Sequence, residues 1–181
     1  IGHRRIDCGR HPKSADVWPV RIAADAFGPG KPCRDLWLSP DHALFVNDVL
    51  IPVKYLMNDS TIAQIPIDEV VYYHVALTRH DAILAEGLAV ESYLDSGDRS
   101  EFANGGSVVH LSADFARSGD LNSLLWEARG CAPLVVTGPE LIALKQLLRD
   151  RQEAALRATP SGDYLPRLSH RPGEMAGNLV A

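Results

Sequence analysis

The sequence predicts a mostly β body reaching to about residue 95, followed by a C-terminal extension that contains one α-helix. Three observations carry this prediction: short apolar runs rich in β-branched and aromatic residues, turn-forming breakers between them, and one late stretch with helical leucine spacing. The first run, Pro19 to Ala24, sets Val20, Ile22 and Ala24 against Arg21 and Ala23, the period of two expected of a half-buried strand. Gly28-Pro29-Gly30-Lys31-Pro32 then breaks the chain. It is a turn and not a phosphate loop, because its prolines remove amide donors and no Ser or Thr follows the lysine.

Leu36-Trp37-Leu38 and Ala43-Leu44-Phe45-Val46 read as strands, and Asn47-Asp48 occupies a hairpin turn before Val49-Leu50-Ile51. Further strands are expected at Thr61 to Ile65, Val70 to Leu77 and Ala82 to Ala85. In the middle one, Val71, Tyr73, Val75 and Leu77 share one face and Tyr72 and His74 the other. The tyrosines are assigned to packing and His74 to the wall of the sheet.

Past Tyr93 to Asp98 the texture changes. Asn104 to Ser107 is expected to be flexible, with short isolated strands at Val108 to Leu111 and Leu134 to Val136. Thr137-Gly138-Pro139-Glu140 has the form of a capping box opening a helix over 138–157. Leu141, Leu144 and Leu148 fall on one face, widened by Leu147, while Lys145, Arg149 and Arg151 stay wet until Thr159-Pro160 stops the helix. The resulting division is a β domain over 1–102, an extension over 103–160 and a mobile tail over 161–181.

With 181 residues the chain can build one real core. A net charge of −5 and a pI near 5.8 supply no basic field, which argues against nucleic acid as a partner. No apolar run approaches the roughly 20 residues of a spanning helix and no signal segment opens the sequence, so no membrane partner is expected and a soluble chain is. Secretion or surface attachment within a larger precursor stays open. Cys8, Cys33 and Cys131 cannot all pair with one another. The first residue is Ile1 and the methionines are Met57 and Met175, from which an upstream segment is expected.

Chemistry concentrates at two polar interruptions. Ser39-Pro40-Asp41-His42 separates two strands and sets a hydroxyl three residues ahead of an imidazole across a tight turn. His80-Asp81 interrupts a second pair of runs in the same way, and two such breaks suggest one cleft. The plainer alternative is a structural turn at each. Cys8-x-x-His11, with His3 and Cys33 nearby, lacks a second closely spaced ligand pair, so no metal is expected.

Leu36 to Val46, which carries Ser39-Pro40-Asp41-His42, and Val71 to Gly87, which carries His80-Asp81, taken in this order resemble two motifs of the Hint family, the hedgehog/intein autoprocessing domains. The likeness covers about residues 1–102 and is nearest to bacterial Hint-domain proteins. It implies a horseshoe-shaped β fold, present here in part, in which an N-terminal Cys or Ser attacks the preceding peptide carbonyl to give a thioester or ester. By this resemblance Ser39, where Thr is usual, hydrogen-bonds the strained peptide and His42 protonates the departing amide nitrogen. His80 polarises the bond or shuttles a proton in the later step, and Asp81 orients it.

The motif carrying the nucleophile would lie upstream of Ile1, so the implied partner is the upstream segment of the same precursor or a split half. Glu91-Ser92 stands where inteins have His-Asn, and a serine hydroxyl cannot form the succinimide that completes splicing. The expectation is single-turnover autoproteolysis needing no cofactor. Two alternatives stand beside it: a degenerate Hint fold serving as a binding or assembly module, and a hydrolase using Cys33 with His42.

Overall fold

The computed structural model describes residues 1–94 and 126–158. In chain order the elements are β1 (Gly2–Asp7), β2 (Val20–Ile22), β3 (Leu36–Leu38), β4 (Ala43–Val46), β5 (Val49–Pro52), β6 (Ile62–Gln64), β7 (Glu69–His74), β8 (Ala82–Ala85), β9 (Leu88–Glu91) and α1 (Pro139–Ala158). Short 3₁₀ turns follow β1 and β5, at Ser14–Asp16 and Val53–Leu56. The described part is therefore mostly β with a C-terminal helical extension.

The strands form three antiparallel groups: a β1–β7 ribbon, a β3–β2–β6 sheet and a β5–β4–β9–β8 sheet. Two tight hairpins organise the last of these. Asn47 and Asp48 take φ of 52° and 61°, the left-handed pair that suits strand twist, and join β4 to β5 as their sequence predicts. Glu86 and Gly87 do the same between β8 and β9 with φ of 51° and 82°. Glycine is required at 87, since a Cβ there would stand 2.8 Å from the Gly30 carbonyl oxygen.

Inward-facing residues of the two larger sheets make one core, with Val20, Ile22, Leu36, Leu38, Leu44 and Val90 fully buried. The ribbon packs separately on Cys8, Trp37, Val70 and Tyr72. Trp37, on β3, thereby links the ribbon to the β3–β2–β6 sheet.

The extension is part of this body. The Leu50 amide donates to the Pro133 carbonyl at 2.9 Å and the Val135 amide to the Leu50 carbonyl at 2.8 Å, a single parallel bridge on the edge of β5. That bridge is all that forms of the strand expected at Leu134 to Val136. Leu141, Leu144 and Leu148 of α1 are buried in the main core, each burial worth roughly 1.5–3 kcal/mol. Leu147 is 44% exposed and does not widen the seam.

Four local expectations are corrected. Ala24 lies beyond the end of β2 and is exposed, because the chain turns at Asp25 with φ of 62°. The strand expected to reach Leu77 ends at His74. The α1 ladder starts from the Gly138 carbonyl, which accepts the Ile142 amide at 3.1 Å, so glycine holds the cap position one residue after Thr137 and Pro139 takes the first helical position. Strands β1 and β9 form where none was expected. The segments expected at 104–107 and 108–111, the helix stop at 159–160 and the tail at 161–181 lie outside the described residues. Among the described residues no helix is long and apolar enough to cross a membrane.

Candidate functional site

Ser39 to His42 forms a turn closed by the His42 amide donating to the Ser39 carbonyl at 3.1 Å, with Pro40 at the position its fixed φ favours. The turn is clamped from the next segment: the Val53 amide donates to the His42 carbonyl at 2.9 Å and the Lys54 amide to the Pro40 carbonyl at 3.0 Å. This drives the His42 side chain inward, where only 6% of the residue is exposed, and leaves Asp41 on the surface in an ion pair with Lys54. Ser39 is half-buried at the start of the turn.

Burial pushes the His42 imidazole from 6.5 down to about 3, and the fields of His74 and then His80 push the same way against a hydrogen bond to the Glu91 backbone. His42 is thus neutral at physiological pH, and its Nε2 is buried without a partner. The two interruptions, 38 residues apart in sequence (42 to 80), approach one another around the end of β9.

Glu91, at the end of β9, joins them. Its Oε1 accepts the Ala43 amide at 2.7 Å, directly after His42, and its Oε2 stands 3.4 Å from His80 Nε2. Both side chains are buried, at 2% exposed for His80 and 9% for Glu91, and the alignment falls short of a full hydrogen bond. Burial raises the Glu91 carboxyl above its usual range, opposed by His80 and by the Ala43 amide. The pair sets a carboxyl and an imidazole side by side in largely buried positions.

His80 is also held from the other side. The Cys131 amide donates to its Nδ1 at 3.0 Å, and Trp126 meets the ring edge to face with centroids 5.3 Å apart. A cleft of about 500 Å³ opens beside it, lined in part by Leu77, Arg79, Tyr93 and Arg129.

The side chain of Asp81 is engaged elsewhere. Its Oδ1 accepts the Ala82 amide at 2.8 Å, and its backbone exchanges bonds with Ser92, from Asp81 N to Ser92 Oγ at 3.0 Å and from Ser92 N to Asp81 O at 2.7 Å. The carboxylate beside His80 is that of Glu91. Ser92 is buried and spent on this pairing. Cys33 is exposed, with its thiol 3.4 Å from Glu86 Oε2 at the β8–β9 hairpin. Among the described residues no three His, Cys, Asp or Glu side chains are disposed to hold a metal ion.

The sequence points to Ser39, His42, His80 and Asp81 as catalytic, marks Glu91 only as the residue at the place of the intein His, and gives Trp126, and His74 beyond the wall of the sheet, no role. The one available signal was Glu91 itself, a carboxylate closing the apolar run Leu88-Ala89-Val90.

A family model for the Hint domain matches residues 1–97. No curated protein and no solved structure matches the chain. The matched stretch includes the Ser39-to-His42 turn, His80 and Glu91, and it is more than half of the sequence. On the family match and the β architecture that carries it, this chain belongs to the Hint domain family.

Proposed function

We propose that this chain is the C-terminal part of a Hint-type autoprocessing unit, folded as part of the family's β horseshoe, that cleaves its own precursor by an N-to-S or N-to-O acyl shift. The nucleophile is a Cys or Ser of an upstream segment, and the reaction turns over once per chain. The observation that carries this reading is the convergence of His42 and His80 on one buried neighbourhood bridged by Glu91.

The acyl shift moves one proton. The S–H or O–H of the nucleophile loses it as the new bond to carbon forms, and the amide nitrogen gains it as the C–N bond breaks. A neutral, buried imidazole can relay that proton: His42 starts without it, and although the low proton affinity makes the ring a weak base towards the nucleophile, the same low affinity favours handing the proton on to the departing nitrogen. Ser39, opening the same turn, hydrogen-bonds the strained peptide. His80 serves the subsequent attack on the ester, with Asp81 positioning it through the Ser92 pairing and the Glu91 carboxyl standing beside it.

The test restores the upstream segment in cis or in trans. Hydroxylamine-sensitive cleavage at the junction, lost in His42→Ala, supports the proposal; no cleavage with any thiol or with hydroxylamine refutes it. A second reading, a Hint fold kept as a binding or assembly module, is favoured by Glu91-Ser92, because both side chains at the place of the intein His-Asn pair are buried and tied to structural partners. It predicts an intact precursor under all these conditions.

A further inference from the structure

We propose that the segment around Trp126 and Cys131, which lies outside the matched Hint region, fixes the tautomer of His80 and so acts as a positioning brace for it. Donor and acceptor roles decide the tautomer. A backbone amide can only donate, so the bond from Cys131 N to His80 Nδ1 at 3.0 Å requires a lone pair on Nδ1. The neutral ring then carries its hydrogen on Nε2, which stands 3.4 Å from Glu91 Oε2.

The opposite tautomer would set two N–H groups against each other at Cys131 and two lone pairs against each other at Glu91. The Cys131 contact therefore selects the form, and the Glu91 carboxyl lies on the side where Nε2 then carries its hydrogen. The result is a continuous line from the extension to the first motif: Cys131 amide, His80 ring, Glu91 carboxylate, Ala43 amide.

The brace is itself anchored. Gly130 N donates to the Trp126 carbonyl at 2.8 Å, a Cβ at position 130 would meet that oxygen at 2.5 Å, and Pro133 to Val135 is bonded to β5. Trp126 against the ring limits its rotation. The thiol of Cys131 has no part in this: burial raises it, with Asp81 and Glu91 adding to the effect, so it is not an activated nucleophile. What matters at this position is the backbone N–H.

The tautomer assignment stands on geometry alone, whereas its bearing on cleavage rests on the autoprocessing reading. The experiment is imidazole nitrogen NMR on the full chain labelled with ¹⁵N, with His80 assigned by its loss in His80→Gln. The expected result at neutral pH is a single Nε2–H tautomer for His80, with a scalar coupling across the hydrogen bond between Cys131 N and His80 Nδ1.

Cys131→Ala, which keeps the amide, leaves both signals unchanged. Cys131→Pro, which removes the donor, abolishes the coupling and gives a tautomer mixture. An Nδ1–H or averaged ring in the wild-type chain overturns the proposal whether or not the proline variant folds, and so does an unchanged tautomer in folded Cys131→Pro. In a cleaving precursor the proline variant slows the step that His80 serves and the alanine variant does not. A non-cleaving precursor with the Nε2–H signal intact would defeat the autoprocessing reading and leave the brace standing.

Discussion

Acid should weaken this fold through one side chain, and the amount follows from the burial of His42. Its imidazole titrates at 6.5 when unfolded and at about 3 in the fold. Above 6.5 the ring is neutral in both states and its contribution is complete. As pH falls below 6.5 only the unfolded chain takes the proton, and stability drops by up to about 1.4 kcal/mol per pH unit until the folded ring protonates near 3.

Between pH 7 and pH 4.5 the loss is about 2.5 kcal/mol, a large share of the roughly 5–15 kcal/mol that a domain has in total. The assay is urea denaturation of wild type and His42→Asn at both pH values, with coincident circular dichroism and fluorescence transitions. Asparagine retains a donor near the ring's backbone contact but does not titrate. Other acid-sensitive groups act on both proteins and cancel in the comparison. Wild type is expected to lose about 2.5 kcal/mol more than the variant on acidification. Equal losses would mean that His42 is solvated in the fold, and the argument for a neutral proton shuttle would fail with it.

The carboxylate partner gives the opposite slope. Burial raises Glu91, so its stabilising contribution is complete below the unfolded value of 4.5 and is lost as pH rises through the higher folded value. Relative to Glu91→Gln, wild type therefore gains stability as pH falls, read from the same denaturation curves. On α1, Leu144→Ala removes a side chain 3% exposed and is expected to cost about 2–5 kcal/mol, whereas Leu147→Ala, at a residue 44% exposed, stays within about 0.5 kcal/mol. A comparable cost at both positions in thermal or urea unfolding would mean that the helix docks through a different face.

The parts of the fold legible in the sequence are those where local chemistry and tertiary position agree. Leu36–Leu38, Ala43–Val46 and the Asn47-Asp48 hairpin combine apolar strand runs with residues that tolerate a left-handed backbone, so each forms where its residues indicate. Strand β1 could not be seen, because Gly2-His3-Arg4-Arg5-Ile6-Asp7 has no apolar alternation. It is a strand through its backbone ladder to β7 and the Arg5–Glu69 ion pair at 2.6 Å. Ala24 fits the period of its neighbours, but the turn at Asp25 overrides a two-residue pattern.

At the site, His42 and His80 stand out as polar breaks in apolar runs. Glu91 reads only as a departure from the intein His-Asn ending until β9 is placed beside β4, which sets its carboxylate under the Ala43 amide. Trp126 and Cys131 reach His80 only through tertiary docking, at a sequence separation that no spacing rule spans.

The central claim is that the two interruptions form one unit joined through Glu91, and a double-mutant cycle on His80→Gln and Glu91→Gln, measured by urea denaturation at neutral pH, tests it most directly. A coupling of about 1 kcal/mol or more between the two positions is the predicted result for buried side chains in contact. Additive losses, agreeing within about 0.3 kcal/mol, would contradict it.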